Sequence, residues 1–512
     1  MSGVRTSHFR VHARDPPGKK KMVQEMSIHH QDDETRAGYK ASWRSLFWVL
    51  VLTSLIRCVF LVAMQDNLDR DPDAYRKLAG NVLETGVYGW KTATFSVGTN
   101  ASSGGVRPTA FRPPLYPMLL ICVGGVGANW PIAVLHFVLG VATTGLVACL
   151  GWRVGLGRWS LAAAMLVALD PILLNQSALV MTETLATFLA VLTLSCLSAK
   201  TNSKSWWRSA SSLSAVTGIV LGLCVLCRPT FLPWLGLIAL ARVSHWRRTR
   251  GGAQLAMANT ASEVRIGSSA AQYHLAHVAV LVGTALLVMA PWVIRNQMIL
   301  GKAKLTTTHG GYTVLLGNNP QFYRFLNSGA DGAWDGEQLG RAWQGRSLTT
   351  GPDDDQWSDL PKLARRAEQQ QISDTVSELD DDRLAYALAK RYAGEQPKMF
   401  VLASGLRIVR LWRLVPHRVG ETETTLRMTL RHLVGAWYAI VLGLAIYGLA
   451  DLGRRILAAP WVFGVQLCFV FTGVHAIYWS DMRMRSPLVP LVSLVAASGM
   501  AAIWGRRMNR KA

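Results

Sequence analysis

Long unbroken apolar runs are the feature that most limits what this chain can fold into. Half of its 512 residues are hydrophobic and only 17% are charged. Many of the runs approach about 20 residues, the length at which a helix crosses the hydrocarbon core of a bilayer. The sequence therefore predicts an all-α polytopic membrane protein with about ten spans, at 43–64, 131–151, 160–178, 183–199, 211–227, 230–242, 274–294, 432–452, 459–479 and 486–504.

The basic residues predict how these spans are oriented. The formal net charge is +23, but the Lys and Arg residues form short clusters beside apolar runs. Such clusters mark the cytoplasmic side of a membrane protein, so we expect no nucleic-acid partner. If the chain has about ten spans, every basic cluster falls on the same side of the membrane. The basic tails 1–42 and 506–512 are then both predicted to be cytoplasmic.

The same number of spans places two hydrophilic regions on the outer side of the membrane. The first is a loop at 65–114, within an N-terminal transmembrane module at 43–295, and the second is a smaller soluble region at 296–431, before the C-terminal spans at 432–505. The apolar stretch 115–126 is too short to cross the membrane, so we predict an interfacial helix there. We expect 345–382, with its acidic runs, to be a flexible and solvated linker.

Carboxylates open the first outer loop. Asp69, Asp71 and Asp73 fall within five residues of one another and are followed by Tyr75. A stretch with helical apolar spacing begins there, so these carboxylates have two interpretations. They could stabilise the start of a helix, or they could accept a proton in catalysis.

An arginine held between prolines closes the same loop. Arg112 lies in PTAFRPPLYP, at the edge of an apolar helix. A guanidinium at the membrane interface can bind a lipid phosphate through its planar set of donors. It could also be an ordinary interfacial arginine whose charged end reaches for water.

These segments together resemble a known family, the outer-face glycosyltransferases of the GT-C superfamily. The likeness is to the branch with the protein O-mannosyltransferases and the aminoarabinose transferases of lipid A. It is carried by DPDAYRKLAGNVLETG, FRPPLYP, LDPILLNQSALVMTET, LCRPTFLP, the junction from APWVIRN to GNNPQFY, and RMRSPLVPLVSL. The resemblance implies a multi-pass protein of the bacterial inner membrane, with its active site on the outer face.

The resemblance also implies roles for particular residues. In that family a carboxylate of the first outer loop acts as general base toward the acceptor, and Asp71 matches its position best, with Asp73 as the alternative. Glu183 resembles a further acidic site residue, and Arg112 matches the basic residue that contacts the carrier phosphate. Further candidates for binding the substrate are Tyr75, Arg228 and Arg295. Either of these two arginines could equally mark a helix end.

Two glycine-containing motifs follow the seventh predicted span. His309 and Tyr312 lie in HGGY, and Asn318 and Asn319 lie in GNN. Amide and aromatic groups on flexible backbone suit sugar hydroxyls and ring faces. A plain turn cluster explains the same residues equally well.

The implied chemistry is transfer of a sugar from a polyprenyl-phosphate donor to an acceptor protein, lipid or glycan, with inversion at the sugar carbon. Arginine can stabilise the departing phosphate, so the chemistry does not require a cofactor, and no metal site is predicted. A divalent cation held by Asp71, Asp73 and Glu183 is the alternative. The chain differs from the lipid A transferases in having Arg112 before the double proline, where they have lysine.

Two other classes of protein compete with this interpretation. A transporter or lipid flippase also has many spans, but it needs ionisable residues along a path through the membrane. Few lie within the spans here, chiefly Arg57, His136, Asp170 and His475. A structural subunit without catalysis would keep the same fold.

Overall fold

The computed structural model describes residues 43–91, 105–199, 201, 209–256, 264–328, 334, 336, 339–340, 343, 377–418 and 423–509. The N-terminal module contains α1 (Trp43–Ala63), α2 (Tyr75–Thr85), strands β1 (Gly89–Lys91) and β2 (Val106–Pro108), α3 (Leu115–Val123), α4 (Trp130–Arg153), α5 (Trp159–Ala168), α6 (Pro171–Ser177), α7 (Glu183–Leu197), α8 (Ala210–Cys227), α9 (Leu232–Ala256) and α10 (Val264–Leu300).

The remaining helices are α11 (Gly310–Leu316), α12 (Pro320–Asn327), α13 (Glu378–Glu395), α14 (Pro397–Leu411), α15 (Thr425–Leu452), α16 (Trp461–Ile477) and α17 (Val489–Asn509). A 3₁₀ turn at Met482–Leu488 leads into α17. We call α11 to α14 the helical insert. It has its own small hydrophobic core, which includes Leu315, Phe322 and Leu388.

All ten apolar segments predicted from the sequence are helical, which confirms an all-α, multi-pass membrane protein. Within the described residues, six helices are long and apolar enough to cross a bilayer by length and composition. A seventh span results if α5 and α6, bent by 48° at their junction, are counted as one. Three more apolar helices, at Glu183–Leu197, Pro229–Ser244 and Trp461–Ile477, are shorter. The total of about ten spans stays a prediction.

The bend between α5 and α6 has a local cause. Pro171 cannot continue the hydrogen bonding of α5, and Asp170 caps α6 by accepting a hydrogen bond from the N–H of Leu173 (3.0 Å). The Tyr438 hydroxyl, on α15, donates to the same carboxylate at 3.0 Å. It also accepts from the N–H of Ile172 at 3.2 Å. The break between α5 and α6 is therefore hydrogen-bonded to α15, a candidate span that is distant in the sequence.

Several predicted boundaries differ from the structure. The predicted boundary after 295 falls inside α10, which continues to Leu300, and α15 begins at Thr425, ahead of 432. The helix at Leu115–Val123 has nine residues, in keeping with the short helix predicted there.

The prediction of a solvated linker was wrong for its last residues, 377–382. These residues start α13, and Asp382 is buried. Its carboxylate lies 2.6 Å from Lys304 Nζ and accepts a hydrogen bond from the N–H of Gly311 at 2.8 Å. A buried carboxylate with such partners is stable inside a fold. The linker's other residues, 345–376, including Asp353 to Asp355, lie outside the described residues.

Candidate functional site

The first outer loop contributes two carboxylates with different partners. Asp71 accepts hydrogen bonds from the N–H groups of Tyr75 (2.8 Å), Arg76 (2.9 Å) and Lys77 (3.1 Å). These are the first three residues of α2, whose N–H groups have no partner within the helix. Burial raises the pKa of Asp71, although the three N–H groups oppose the rise. Both oxygens of Asp71 thus hold the start of α2.

Asp73 is paired with the arginine that closes the same loop. Its Oδ1 accepts a hydrogen bond from Arg112 Nη2 at 2.8 Å, and both side chains are about one-fifth exposed. Ala74, the next residue, has a left-handed backbone (φ 58°), which turns the chain into α2. The Arg112 guanidinium also lies over the rings of Tyr75 (5.9 Å) and Phe111 (5.3 Å).

A second ion cluster surrounds Glu183, the first residue of α7. Glu183 is buried, with Oε1 3.4 Å from Arg228 Nη1 and 3.9 Å from Arg483 Nη1. Its other oxygen, Oε2, is buried without a hydrogen-bond partner among the described residues. Arg483 also lies 3.8 Å from Asp481. Arg228 donates to the sulfur of Met484, which ties α8 to the turn before α17.

Tyr75 joins the two clusters. Its ring is buried and lies against Tyr116. Burial raises the pKa of Tyr75, and the charges of Asp73 and Glu183 raise it further, while Arg112 and Arg228 act in the opposite direction. Arg483 in turn is within electrostatic range of Asp73. The fold therefore brings together residues from the first outer loop, α7, α8 and the start of the last span.

Two donor atoms of this combined site have no hydrogen-bond partner among the described residues. They are Arg112 Nε and Arg228 Nη1, and both are buried. A buried donor without a partner costs about 1–3 kcal/mol, more for a charged group, so a ligand or water molecule that accepts from such an atom is stabilised. Both belong to arginines that the sequence singled out.

A row of aromatic rings leads away from Arg112. Phe111 lies 4.2 Å from His309 between ring centroids, His309 lies 5.7 Å from Tyr312, and Tyr312 lies 6.4 Å from Trp343. Burial, together with the charge of Arg112, lowers the pKa of His309 to about 3. The imidazole is therefore neutral near pH 7. Its Nδ1 is buried without a partner in the described part of the chain.

The backbone before Arg112 is held from two sides. Arg295 donates to the carbonyls of Thr109 (2.7 Å) and Tyr88 (2.8 Å). Glu378, at the start of α13, accepts from the Thr109 hydroxyl (2.5 Å), the N–H of Ala110 (2.9 Å) and the hydroxyl of Thr308. We call these contacts the Thr109 clamp. Arg295 thus binds protein carbonyls here.

The two asparagines of the GNN motif make internal contacts. Asn318 donates to the carbonyls of Val314 and Ile477, and its oxygen accepts from Arg407. Asn319 caps α12 through the N–H of Phe322 and donates to two carbonyls of α11. Both are buried, so the structure gives them the turn and capping role that the sequence left open.

Asp71, Asp73 and Glu183 do not form a shared oxygen site in the fold, because each has the separate partners described above. Across the described residues, no group of three or more His, Cys, Asp or Glu side chains is placed to hold a metal ion. The three carboxylates therefore do not fit the divalent cation considered from the sequence.

Two residues of this arrangement, Arg483 and Glu378, were not predicted from the sequence. Arg483 lies in RMRSPLVP, a basic and proline-containing segment before the last span, and its likeness to Arg112 in FRPPLYP was the available signal. Glu378 had no such signal. It lies in an acidic run, and only folding shows that its carboxylate contacts a loop 268 residues earlier in the chain.

No protein-family model matches the chain, and no curated protein sequence matches it. Among solved structures, it is similar to the archaeal oligosaccharyltransferase AglB from Archaeoglobus fulgidus in complex with an inhibitory peptide and a dolichol-phosphate. The identity is 16% and the TM-score 0.47, over 91% of this chain and 51% of that one. The chain thus spans about half the length of AglB.

A second similar structure is ArnT from Cupriavidus metallidurans bound to undecaprenyl phosphate. The identity is 12% and the TM-score 0.35, over 88% of this chain and 77% of ArnT. Identity this low leaves the function to be argued from the chain's own residues.

Proposed function

We propose that this protein is a membrane glycosyltransferase that moves a sugar from a polyprenyl-phosphate donor to an acceptor. The observation that carries the proposal is a pair of buried donors, Arg112 Nε and Arg228 Nη1, which have no hydrogen-bond partner among the described residues and lie in the two ion clusters that Tyr75 joins. A phosphate offers several acceptor oxygens with negative charge and would satisfy both donors. Arg483 completes a set of three guanidinium groups there.

The bound phosphate would be the leaving group of the reaction. When the bond between the sugar's anomeric carbon and the phosphate oxygen breaks, both electrons of that bond pass to the phosphate. Arginines placed beforehand at that position stabilise the new charge without moving. The carrier's apolar tail would stay in the lipid while its phosphate lies against Arg112.

Asp73 is the proposed general base. It removes the proton of the acceptor hydroxyl as that oxygen attacks the anomeric carbon from the side opposite the phosphate, so the product has inverted configuration. Asp73 is partly exposed and has one oxygen on Arg112, whereas both oxygens of Asp71 hold the start of α2. The geometry therefore favours Asp73 over Asp71, the residue that the resemblance matched best.

The aromatic row is the proposed place for the sugar. Ring faces of Phe111, Tyr312 and Trp343 can pack against the apolar face of a pyranose. The Nδ1 of neutral His309, which has no hydrogen-bond partner among the described residues, can bond to a hydroxyl. Its position beside Arg112 agrees with a sugar attached to the bound phosphate. We further propose that the site opens to the outer face of the membrane, as the distribution of basic residues predicts, and that this is a bacterial inner membrane, as the family resemblance implies.

A panel experiment tests the function directly. The purified protein in liposomes is incubated with several polyprenyl-phosphate sugars and an envelope extract as the acceptor source, and loss of each donor is followed by mass spectrometry. We expect one donor to be consumed, with release of the free polyprenyl phosphate. The Arg228→Ala variant should consume it more slowly, while Arg383→Ala, at an exposed position on α13, should match wild type.

The same experiment separates the competing functions. A lipid flippase would move the donor across the bilayer with its sugar–phosphate bond intact. Donor translocation without cleavage would therefore support the flippase and reject our proposal. Neither cleavage nor translocation, with any donor of the panel, would leave the structural-subunit interpretation as the better one.

A further inference from the structure

Helix α14 (Pro397–Leu411) has its charges on the wrong side for a helix in water. Arg407 and Arg410 are its buried basic residues. Arg407 donates to the carbonyls of Ala476 and Gly317, and the Arg410 guanidinium lies over the rings of Phe322 and Trp479. Both arginines thus face the interior of the fold. A helix of a soluble domain normally turns its charged residues outward.

The outward face of the same helix is entirely apolar between its first turn and its end. The exposed positions from 401 to 411 are Val401, Leu402, Gly405, Ile408 and Val409. Val401, Leu402 and Val409 are 67%, 54% and 61% exposed. Their spacing places them on one side of the helix. A stripe of large exposed apolar side chains, backed by buried arginines, needs a nonpolar environment.

We propose that α14 is an in-plane membrane helix, whose stripe of Val401, Leu402, Ile408 and Val409 contacts lipid acyl chains. The sequence had predicted that this segment belongs to a soluble region. The inference concerns how the helical insert meets the bilayer, and it does not depend on the proposed chemistry.

The surroundings of α14 favour lipid over a protein partner. Its second half contacts the last turns of α16, an apolar helix, through Arg407 with Ala476 and through Trp412 with Thr472 (3.2 Å). The next helix, α15, is a candidate span, and its first turns expose Leu426, Leu430 and Leu433. Both α16 and α15 are thus apolar helices, whose exposed surfaces suit the interior of a bilayer.

Basic residues at both ends of α14 support the same conclusion. Lys398 lies in the first turn and Arg413 lies two residues beyond the last, and both are exposed. Long basic side chains that flank an apolar stripe can reach phosphate head groups while the stripe stays in the acyl region. The helix has 15 residues. At about 1.5 Å per residue it is shorter than the hydrocarbon core, which suits an in-plane position.

Spin labels test this placement in liposomes. Labels are attached at Leu402→Cys and Val409→Cys, in a background whose seven native cysteines are replaced by serine or alanine. Collision rates with oxygen, which concentrates in lipid, and with a water-soluble nickel complex are then compared. We expect high oxygen and low nickel access at both positions. The control Lys390→Cys, at an exposed position on α13, should show high nickel access.

Two other patterns would overturn the proposal. High nickel access at 402 and 409 would place the stripe in water, and low access to both reagents would mean that protein covers it.

Because the cysteine-replaced background could fold poorly, a second measurement uses the otherwise unchanged chain. Leu402→Glu should lower the melting temperature in liposomes by several degrees, since a charge is costly in lipid, whereas Lys390→Glu should not. Equal melting temperatures for these two variants would also reject a lipid-facing stripe.

Discussion

At the residue scale, Asp71 and Asp73 lie two positions apart and have different partners. Asp71 accepts three backbone N–H groups at the start of α2, and Asp73 is bonded to Arg112. Asp71→Asn removes part of the capping, so we expect a loss of about 0.5–2 kcal/mol in the free energy of unfolding and turnover within a few-fold of wild type. Asp73→Asn should reduce turnover by about a hundredfold or more, as when a positioned base is removed.

Both variants are tested by thermal unfolding, which measures stability, and by turnover at saturating donor. The reverse result, with Asp71→Asn inactive and stable and Asp73→Asn active, would return the base to Asp71. If both single variants and the double variant kept near-normal turnover, Glu183 would be the next candidate, because its Oε2 has no hydrogen-bond partner among the described residues.

Arg112 is the second test at this scale. Its Nε is buried without a hydrogen-bond partner in the described chain, and its Nη2 bonds to Asp73. Arg112→Ala should weaken binding of a polyprenyl phosphate by about tenfold or more, the loss of a charge-assisted bond. Arg112→Lys should restore part of the affinity, because lysine keeps the charge but lacks the planar set of donors. Binding of the unsugared carrier is measured, so the result does not depend on catalysis. Wild-type affinity in both variants would contradict the phosphate role.

At the scale of elements, the Thr109 clamp connects α13 of the helical insert to the loop that carries Arg112. Glu378→Gln keeps the volume of the side chain but replaces one of two acceptor oxygens with a donor group, so at least one of its three bonds weakens. We expect weaker donor binding and faster hydrogen exchange in residues 108–113, because Arg112 is held less firmly.

A matched control shows whether the effect is specific to the clamp. Glu423 forms a two-point ion pair with Arg431 (3.1 and 3.0 Å). Glu423→Gln is therefore the same substitution at another partly buried carboxylate, and it should leave exchange at 108–113 unchanged. If both variants lowered the melting temperature equally and neither changed donor binding or exchange, Glu378 would be a stabilising contact only.

The contact between α6 and α15 is the second test at this scale. Tyr438→Phe removes the hydroxyl that donates to Asp170 and accepts from Ile172, so a buried carboxylate and a buried N–H both lose a partner. The expected loss is about 1–3 kcal/mol in the free energy of unfolding, with a lower melting temperature in detergent. Tyr447→Phe on the same helix should have little effect, because its ring contact with Arg506 survives. Equal melting temperatures for the two variants would contradict a structural role for the Tyr438 hydroxyl.

At the scale of the whole molecule, the basic clusters predict orientation. We expect both ends of the chain and the basic segment 242–250 of α9 to be cytoplasmic and the helical insert to be outside. A cysteine introduced at Lys390 should react with a membrane-impermeant reagent added to intact cells, and a cysteine introduced at position 246 should react only after the membrane is opened. Strong labelling at 246 in intact cells would overturn this topology.

The sequence by itself determined the class of fold. Apolar runs have a fixed meaning in a bilayer, since backbone groups in lipid must be satisfied inside a helix, and every predicted segment is helical. Arg112 was predicted as a candidate from its position at the edge of an apolar helix, and Arg228 and Glu183 from the family resemblance. Local spacing also predicted the start of α2, with the role of Asp71 left open.

Only the tertiary structure decided which of these residues are neighbours and what each one binds. The contacting residues come from distant parts of the chain, as with Glu378 and Thr109, or Arg483 and Glu183. The free energy of such contacts depends on packing that no local sequence pattern encodes. Likewise, α14 has the composition of a soluble amphipathic helix. Only the burial of Arg407 and Arg410 in the fold shows that its charged side faces the protein. Periodicity shows that a helix has two faces, but the surrounding fold determines which face meets protein.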